Sequence, residues 1–128
     1  MRKKLKILPP TKKTPEVVLD RNGILKFTGR LIPENAEEFF RPVEEWVNEY
    51  FCNPADITQI DISLDYINSS GYRYMFYLIH KIINIRLLNN TEKFRINWYY
   101  RLEDEDILEK GRIFSLNLDV PFNFIVIS

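Results

Sequence analysis

The stretch "ITQIDISLDYINSSGYRYMFYLIHKII" (residues 57–83) changes its hydrophobic period in the middle. Up to Tyr66 it alternates, with Ile60, Ile62, Leu64 and Tyr66 on one side and Gln59, Asp61, Ser63 and Asp65 on the other. A period of two predicts a strand with one buried and one wet face. Beyond Ser70, residues Tyr72, Met75, Phe76, Leu78, Ile79, Ile82, Ile83 and Ile85 share one broad arc when spaced at about 100° per residue, the mark of an amphipathic helix. Asn68, Ser69, Ser70 and Gly71 stand at the change of period, and such residues commonly start helices.

The flanking segments repeat this scheme. "KFRINWYYR" (93–101) alternates Phe94, Ile96, Trp98 and Tyr100 against Lys93, Arg95, Asn97, Tyr99 and Arg101. "FNFIVI" (122–127) is a continuous apolar run and closes the chain as a strand. "EVVLDRNGILKFTG" (16–29) reads as a hairpin around Asn22-Gly23, a pair that accepts positive φ. In "IPENAEEFFRPVEEWVNEYF" (32–51), Asn35 can cap a helix and Glu37 and Glu38 suit its positive end. Phe39, Phe40, Val43, Trp46, Val47 and Tyr50 follow at helical spacing, and Pro42 is expected to bend or divide that helix. Further helices are expected over about 70–88 and 104–114.

The resulting order is ββαβαβαβ, a mixed sheet of about five strands. The N-terminal pair is antiparallel, and the remaining strands are parallel because helical crossovers join them. The retained polar face argues against a doubly wound sheet and puts all helices on the other face. Residues 14–128 form one domain behind a basic arm at 1–13, where Arg2, Lys3, Lys4, Lys6, Lys12 and Lys13 give six positive charges. With Lys+Arg and Asp+Glu both at 18, the rest of the chain is net negative by six. Pro9, Pro10 and Pro15 make the arm an irregular lead-in. It is too charged for a secretory signal, and no stretch has the length of a membrane span, so the expected address is cytoplasmic. The single cysteine, Cys52, excludes an intrachain disulfide and any multi-thiolate metal site.

Ligands of open α/β sheets gather where strands end and helices begin. The unpaired N–H groups and dipole of a helix start favour an anion. A phosphoserine there would add about −1.5 to −2 charges and alter what binds the surface without unfolding the domain. The serines also suit plain capping. Off the core arc lie Arg73, Tyr74, Tyr77, His80, Lys81, Asn84 and Leu88, a mixture of aromatic, cationic and apolar groups that fits partner docking. The candidate partner-binding residues are Tyr72 (shared with the core arc), Arg73, Tyr77, His80 and Lys81. Packing against the first helix is the competing role for Tyr74 and Leu88.

"IDISLDYINSSG" resembles the strand-to-helix signature of STAS domains, the anti-anti-sigma fold. More of the chain, about residues 14 to 115, resembles the SiaC-type regulatory phosphoproteins, which are STAS-like. The resemblance is carried by "TPEVVLD", "GILKFTGRLIPENAEEFFRPVEEWV", "LDYINSS" and "NWYYRLEDEDILEKGRIF". It implies a phospho-switched adaptor without catalytic residues or cofactor, with Ser69 as acceptor and Asn68, Ser70 and Gly71 flanking it. The implied partners are a serine/threonine kinase, a PP2C-like phosphatase and an output protein, a diguanylate cyclase in the best-matching case. The unphosphorylated form would bind that output protein. Ser69 stands where the family has threonine, and Gly71 where it often has a third serine. Asn68 replaces the STAS aspartate, which removes a negative charge beside the acceptor.

Other functions are weaker fits. His80, the only histidine, has no partner motif for catalysis, and "EDED" (103–106) lacks the spacing of a calcium loop. Lys93, Arg95, Tyr99 and Arg101 could meet RNA on the open sheet face. Asp61 and Asp65 should share that face, pair with the arginines and repel a phosphate backbone. A small-ligand module using the helix start at Ser69 is a further alternative.

Overall fold

The computed structural model describes residues 5–89 and 93–127, those at 86–89 by their backbone alone. Arg2, Lys3 and Lys4 of the basic arm, and the side chain of Leu88, lie outside the described residues. Six strands form one sheet in chain order: β1 (Leu5–Leu8), β2 (Glu16–Asp20), β3 (Ile24–Leu31), β4 (Ile57–Ile67), β5 (Lys93–Arg101) and β6 (Asn123–Ile127). The first two pairings are antiparallel and the last three parallel. Helices α1 (Ala36–Tyr50), α2 (Ser69–Asn89) and α3 (Glu105–Leu118) make the three crossovers. Each crossover advances one strand in the same direction, so right-handed connections leave all three helices on one face.

The sixth strand is the difference from the expected five. Leu5–Leu8 belongs to the basic arm and pairs with Val17–Asp20. Pro9 and Pro10, lacking N–H donors, end it, while Lys6 on an outer strand discourages pairing with another chain. The hairpin forms as expected. Asp20 accepts from Gly23 N through its carbonyl (2.9 Å) and from Asn22 N through its side chain (2.8 Å). Gly23 has φ +108°, and an added Cβ would stand 2.2 Å from Ile57 O. Helix α1 is not divided at Pro42 but runs unbroken over 15 residues. The carbonyl that Pro42 leaves unpaired belongs to Glu38, an exposed residue, where water can answer it.

The core lies between sheet and helices. Leu25, Phe27, Ile60, Ile62, Ile96 and Trp98 from the strands meet Phe40, Val43, Val47, Leu78, Ile79 and Phe114 from the helices. Trp98 is its largest fully buried side chain. Its ring packs edge-on against Phe114 at 5.5 Å, and its Nε1–H donates to Ile107 O at 3.0 Å. Helix α3 comes this close because residue 111 is glycine: a Cβ there would sit 2.6 Å from the indole nitrogen.

The other sheet face is less wet than alternation predicts. Asp61 and Asn97 are only 8% and 7% exposed. Asp61 accepts from Asn97 Nδ2 at 2.8 Å and from Gln59 Nε2 at 3.0 Å, and Asn97 accepts from Asn123 at 3.0 Å. These side chains form a polar ladder across β4, β5 and β6.

In a helix interior, alanine is ordinarily better than glycine by about 0.5–1 kcal/mol. At Gly111 the sign reverses: Gly111→Ala is expected to lose about 1–3 kcal/mol to overpacking against Trp98. Urea unfolding measures this, and a stabilised variant would mean that α3 can move off the sheet without cost.

Candidate functional site

The site begins with an irregularity in β4. Gly29 pairs with Leu64 but Arg30 pairs with Tyr66, so Asp65 is an extra residue. A bulge of this kind reverses the facing of the residues beyond it. Tyr66, expected on the core side, is instead 58% exposed, with the Arg30 guanidinium 5.2 Å above its ring. Ile67 now pairs with Leu31 and packs against the core. The strand then ends at Asn68, whose N–H donates to Leu31 O at 3.0 Å.

Asn68 is the cap of α2, a role that the sequence offered to the serines. Its Oδ1 accepts from Gly71 N at 2.8 Å and from Ser70 Oγ at 3.2 Å, while its Nδ2 donates to Pro33 O at 3.1 Å. The helix start is thereby tied to the Pro33-Glu34-Asn35 turn, where Asn35 Oδ1 caps α1 by accepting from Glu38 N at 3.1 Å. Lys13 pairs with Glu34 on the outside of that turn, and this hydrogen bond and charge hold the Glu34 carboxyl below its ordinary pKa. At Gly71 an added Cβ would lie 2.8 Å from both Leu31 O and Leu31 Cγ.

Ser69 is the first helical residue, exposed, and its hydroxyl makes no hydrogen bond among the described residues. It borders a cleft of about 530 Å³ between α2 and α3, with Ile67, Asn68, Tyr72, Arg73, Asp106 and Lys110 among its walls. Ser70 is half-buried and lines a second hollow of about 340 Å³ with Arg73, Tyr74 and Tyr77.

The candidate docking residues separate. Arg73 is exposed and reaches both hollows. Tyr77 is 51% exposed and meets Tyr74 edge-on at 6.1 Å. Tyr74 itself stacks on Phe40 of α1 at 5.8 Å. Tyr72 is half-buried against Phe114 at 4.6 Å. Burial pushes its phenol upward in pKa, an effect that Lys110 partly opposes. Lys81 is half-buried and reaches Glu44 of α1 at 3.5 Å, so its charge is already engaged within the fold. His80 is exposed two turns beyond Arg73, stacked on Phe76 at 6.3 Å. Sequence reasoning found α1 but missed its share of this surface: Glu37, Arg41, Glu44 and Glu45 line a groove with Tyr74 and Tyr77. Their polar spacing was visible, but not which helix they would neighbour.

On the open face Arg101 lies 3.6 Å from Asp65, and Arg95 donates to Gln59 Oε1 at 3.2 Å. Burial raises the Tyr99 phenol in pKa, and the Asp61 charge adds to it. Two of the cations proposed for RNA are thus answered by neighbouring side chains. At the "EDED" segment Asp104 caps α3, accepting from Ile107 N at 3.0 Å. Among the described residues no three His, Cys, Asp or Glu side chains gather as metal ligands, and no helix is long and apolar enough to cross a membrane.

The fold is that of a mixed α/β protein, a six-stranded sheet with three crossover helices. A model of the SiaC family of regulatory phosphoproteins matches residues 8–127, and the chain belongs to that family. A protein of Pseudomonas aeruginosa strain UCBPP-PA14 is 25% identical over 116 residues, 90% of each chain. The structure is similar to the crystal structure of apo-SiaC from Pseudomonas aeruginosa, with TM-score 0.77 and 24% identity over 97% of this chain and 98% of that one. It is also similar to SiaC in the crystal structure of the diguanylate cyclase SiaD with its activator SiaC, from the same species. That match has TM-score 0.74 and 24% identity over 94% and 97% of the two chains.

Removal of the Asn68 carboxamide is expected to cost about 1–3 kcal/mol, because buried backbone groups lose their partners. Ser69→Ala should stay within about 0.5 kcal/mol of the parent. Urea denaturation of both variants measures the contrast, and equal costs would mean that Ser69 shares the capping role.

Proposed function

We propose that this protein is a phospho-switched, non-enzymatic adaptor of a cytoplasmic partner-switching pathway, with Ser69 as its acceptor. In the unmodified state it binds and regulates an output protein, a diguanylate cyclase or a similar enzyme. A serine/threonine kinase phosphorylates Ser69 and so releases the output protein, and a PP2C-like phosphatase restores binding.

The observation that carries this reading is the division of labour at the junction. Asn68 performs the cap, which leaves the Ser69 hydroxyl exposed and outside the hydrogen bonds that hold the helix. A modifying enzyme can reach such a group, and a phosphate on it costs the fold no internal bond. Family membership supports a regulatory phosphoprotein, and the SiaC–SiaD complex supports a diguanylate cyclase as the kind of partner. Arg73 and Tyr77 are the anchors we assign to docking, since both are exposed on α2 near Ser69. Tyr72 borders the same cleft, His80 extends the face, and Lys81 supports it through α1.

The test is capture of the output protein from native lysate by unmodified and Ser69-phosphorylated protein. Unmodified protein should retain a diguanylate cyclase, phosphorylated protein should not, and Ser69→Ala should retain it even after kinase treatment. Equal retention by both forms would sink the switch. Tyr77→Ala should weaken capture by about 1–2 kcal/mol while leaving the unfolding midpoint nearly unchanged. If it instead loses several kcal/mol of stability, Tyr77 is a packing residue and the docking assignment fails.

A further inference from the structure

Arg73 occupies an unusual position on α2. It is the one residue that lines both hollows, the cleft beside Ser69 and the pocket formed with Ser70, Tyr74 and Tyr77. Its side chain is exposed and makes no ion pair or hydrogen bond among the described residues. Across the cleft, Lys110 of α3 is held by Asp106 at 2.6 Å, four residues earlier on the same helix. Residues 69 and 73 are separated by one helical turn on one side of α2, about 5–6 Å between Cβ atoms, within reach of an arginine.

We infer that Arg73 reads the phosphate on Ser69: it turns from the tyrosine pocket into the cleft, grips the phosphate together with Lys110, and is thereby withdrawn from the docking face. This rests on Ser69 being the acceptor and names the device by which the modification acts. A planar guanidinium suits phosphate oxygens, and its hydrogen bonds to an anion are of the strong, charge-assisted kind. The phosphate carries about −1.5 to −2 charges, against one on the Asp106 carboxylate, so it outcompetes Asp106 for Lys110. Asp106 and Glu109 also line the cleft and repel the incoming anion, which is why one cation is not enough. A single arginine cannot serve both hollows. Phosphorylation therefore strips a cation from the Tyr74–Tyr77 pocket without moving a helix.

The experiment uses the full chain with phosphoserine installed at position 69 during translation, so that no kinase is required. Phosphorus NMR then follows the phosphate's second ionisation in the parent, in Arg73→Gln and in Lys110→Gln. Both substituted side chains lie outside the core cluster, so the variants should fold, and circular dichroism checks this. The expected result is a phosphate pKa in the parent about 0.5 below that in either variant, because each cation favours the doubly charged form. The Arg73 Nε–H resonance should also shift when Ser69 is phosphorylated. Titration curves that superimpose in all three proteins overturn the inference. A curve moved by Lys110→Gln alone overturns the role of Arg73. A kinase that fails to modify Ser69 would count against the proposed function and leave this titration untouched.

Discussion

Asn68 joins three parts of the chain, two through its carboxamide and one through its backbone. It donates to the carbonyl of Pro33 at the entry to α1 and accepts from the N–H of Gly71 in the first turn of α2. The backbone N–H of Asn68 extends the pairing of β4 with β3 by one more bond, to Leu31 O. The start of α2 must therefore lie hard against the end of β3, and a side chain at residue 71 would collide with Leu31. Because one residue answers a strand end with its backbone and a turn and a helix with its side chain, the neighbouring serine hydroxyl stays outside the bonds that hold the junction.

The same economy appears on the far side of the sheet. A parallel sheet normally buries both faces under helices. Here three crossovers advance in one direction and cover only one. The uncovered face protects itself with its own side chains: Asn123, Asn97 and Asp61 join three parallel strands by hydrogen bonds, and Gln59 completes the Asp61 carboxylate. A one-residue slip of any of these strands would turn its polar groups into the core, so the ladder also fixes register. The arginines that flank it reach side chains of the face itself, which leaves less positive charge for a nucleic acid.

The helical side carries the features suited to a partner. Tyr77 stands out beside Tyr74, whose ring is anchored on Phe40, so one aromatic is available because the other is held. Acidic residues of α1 form the far wall of the groove. The surface proposed for docking on α2 thus adjoins a second helix, separated from it in sequence by a whole strand, and Lys81 links the two through Glu44.

Residues 57–83 by themselves determined much of this: period two, then period 3.6, joined at Asn68, with parallel strands required by the helices between them. Patterning is legible because burial on one side of a strand or helix leaves a periodic trace in the residues. The sequence also carried the hairpin at Gly23 and the family resemblance. Tertiary structure alone decided what local patterns cannot encode. The bulge at Asp65 turned Tyr66 out of the core, against its alternation, because β3 and β4 differ by one residue in their pairing. An outer strand formed at Leu5–Leu8 because β2 offered it unpaired backbone, whatever the charge of the arm. Which of three adjacent polar residues caps α2 depended on the carbonyl of Pro33, a partner 35 residues away. Hydrogen bonds over such separations leave no period in a sequence, and only the assembled chain reveals them.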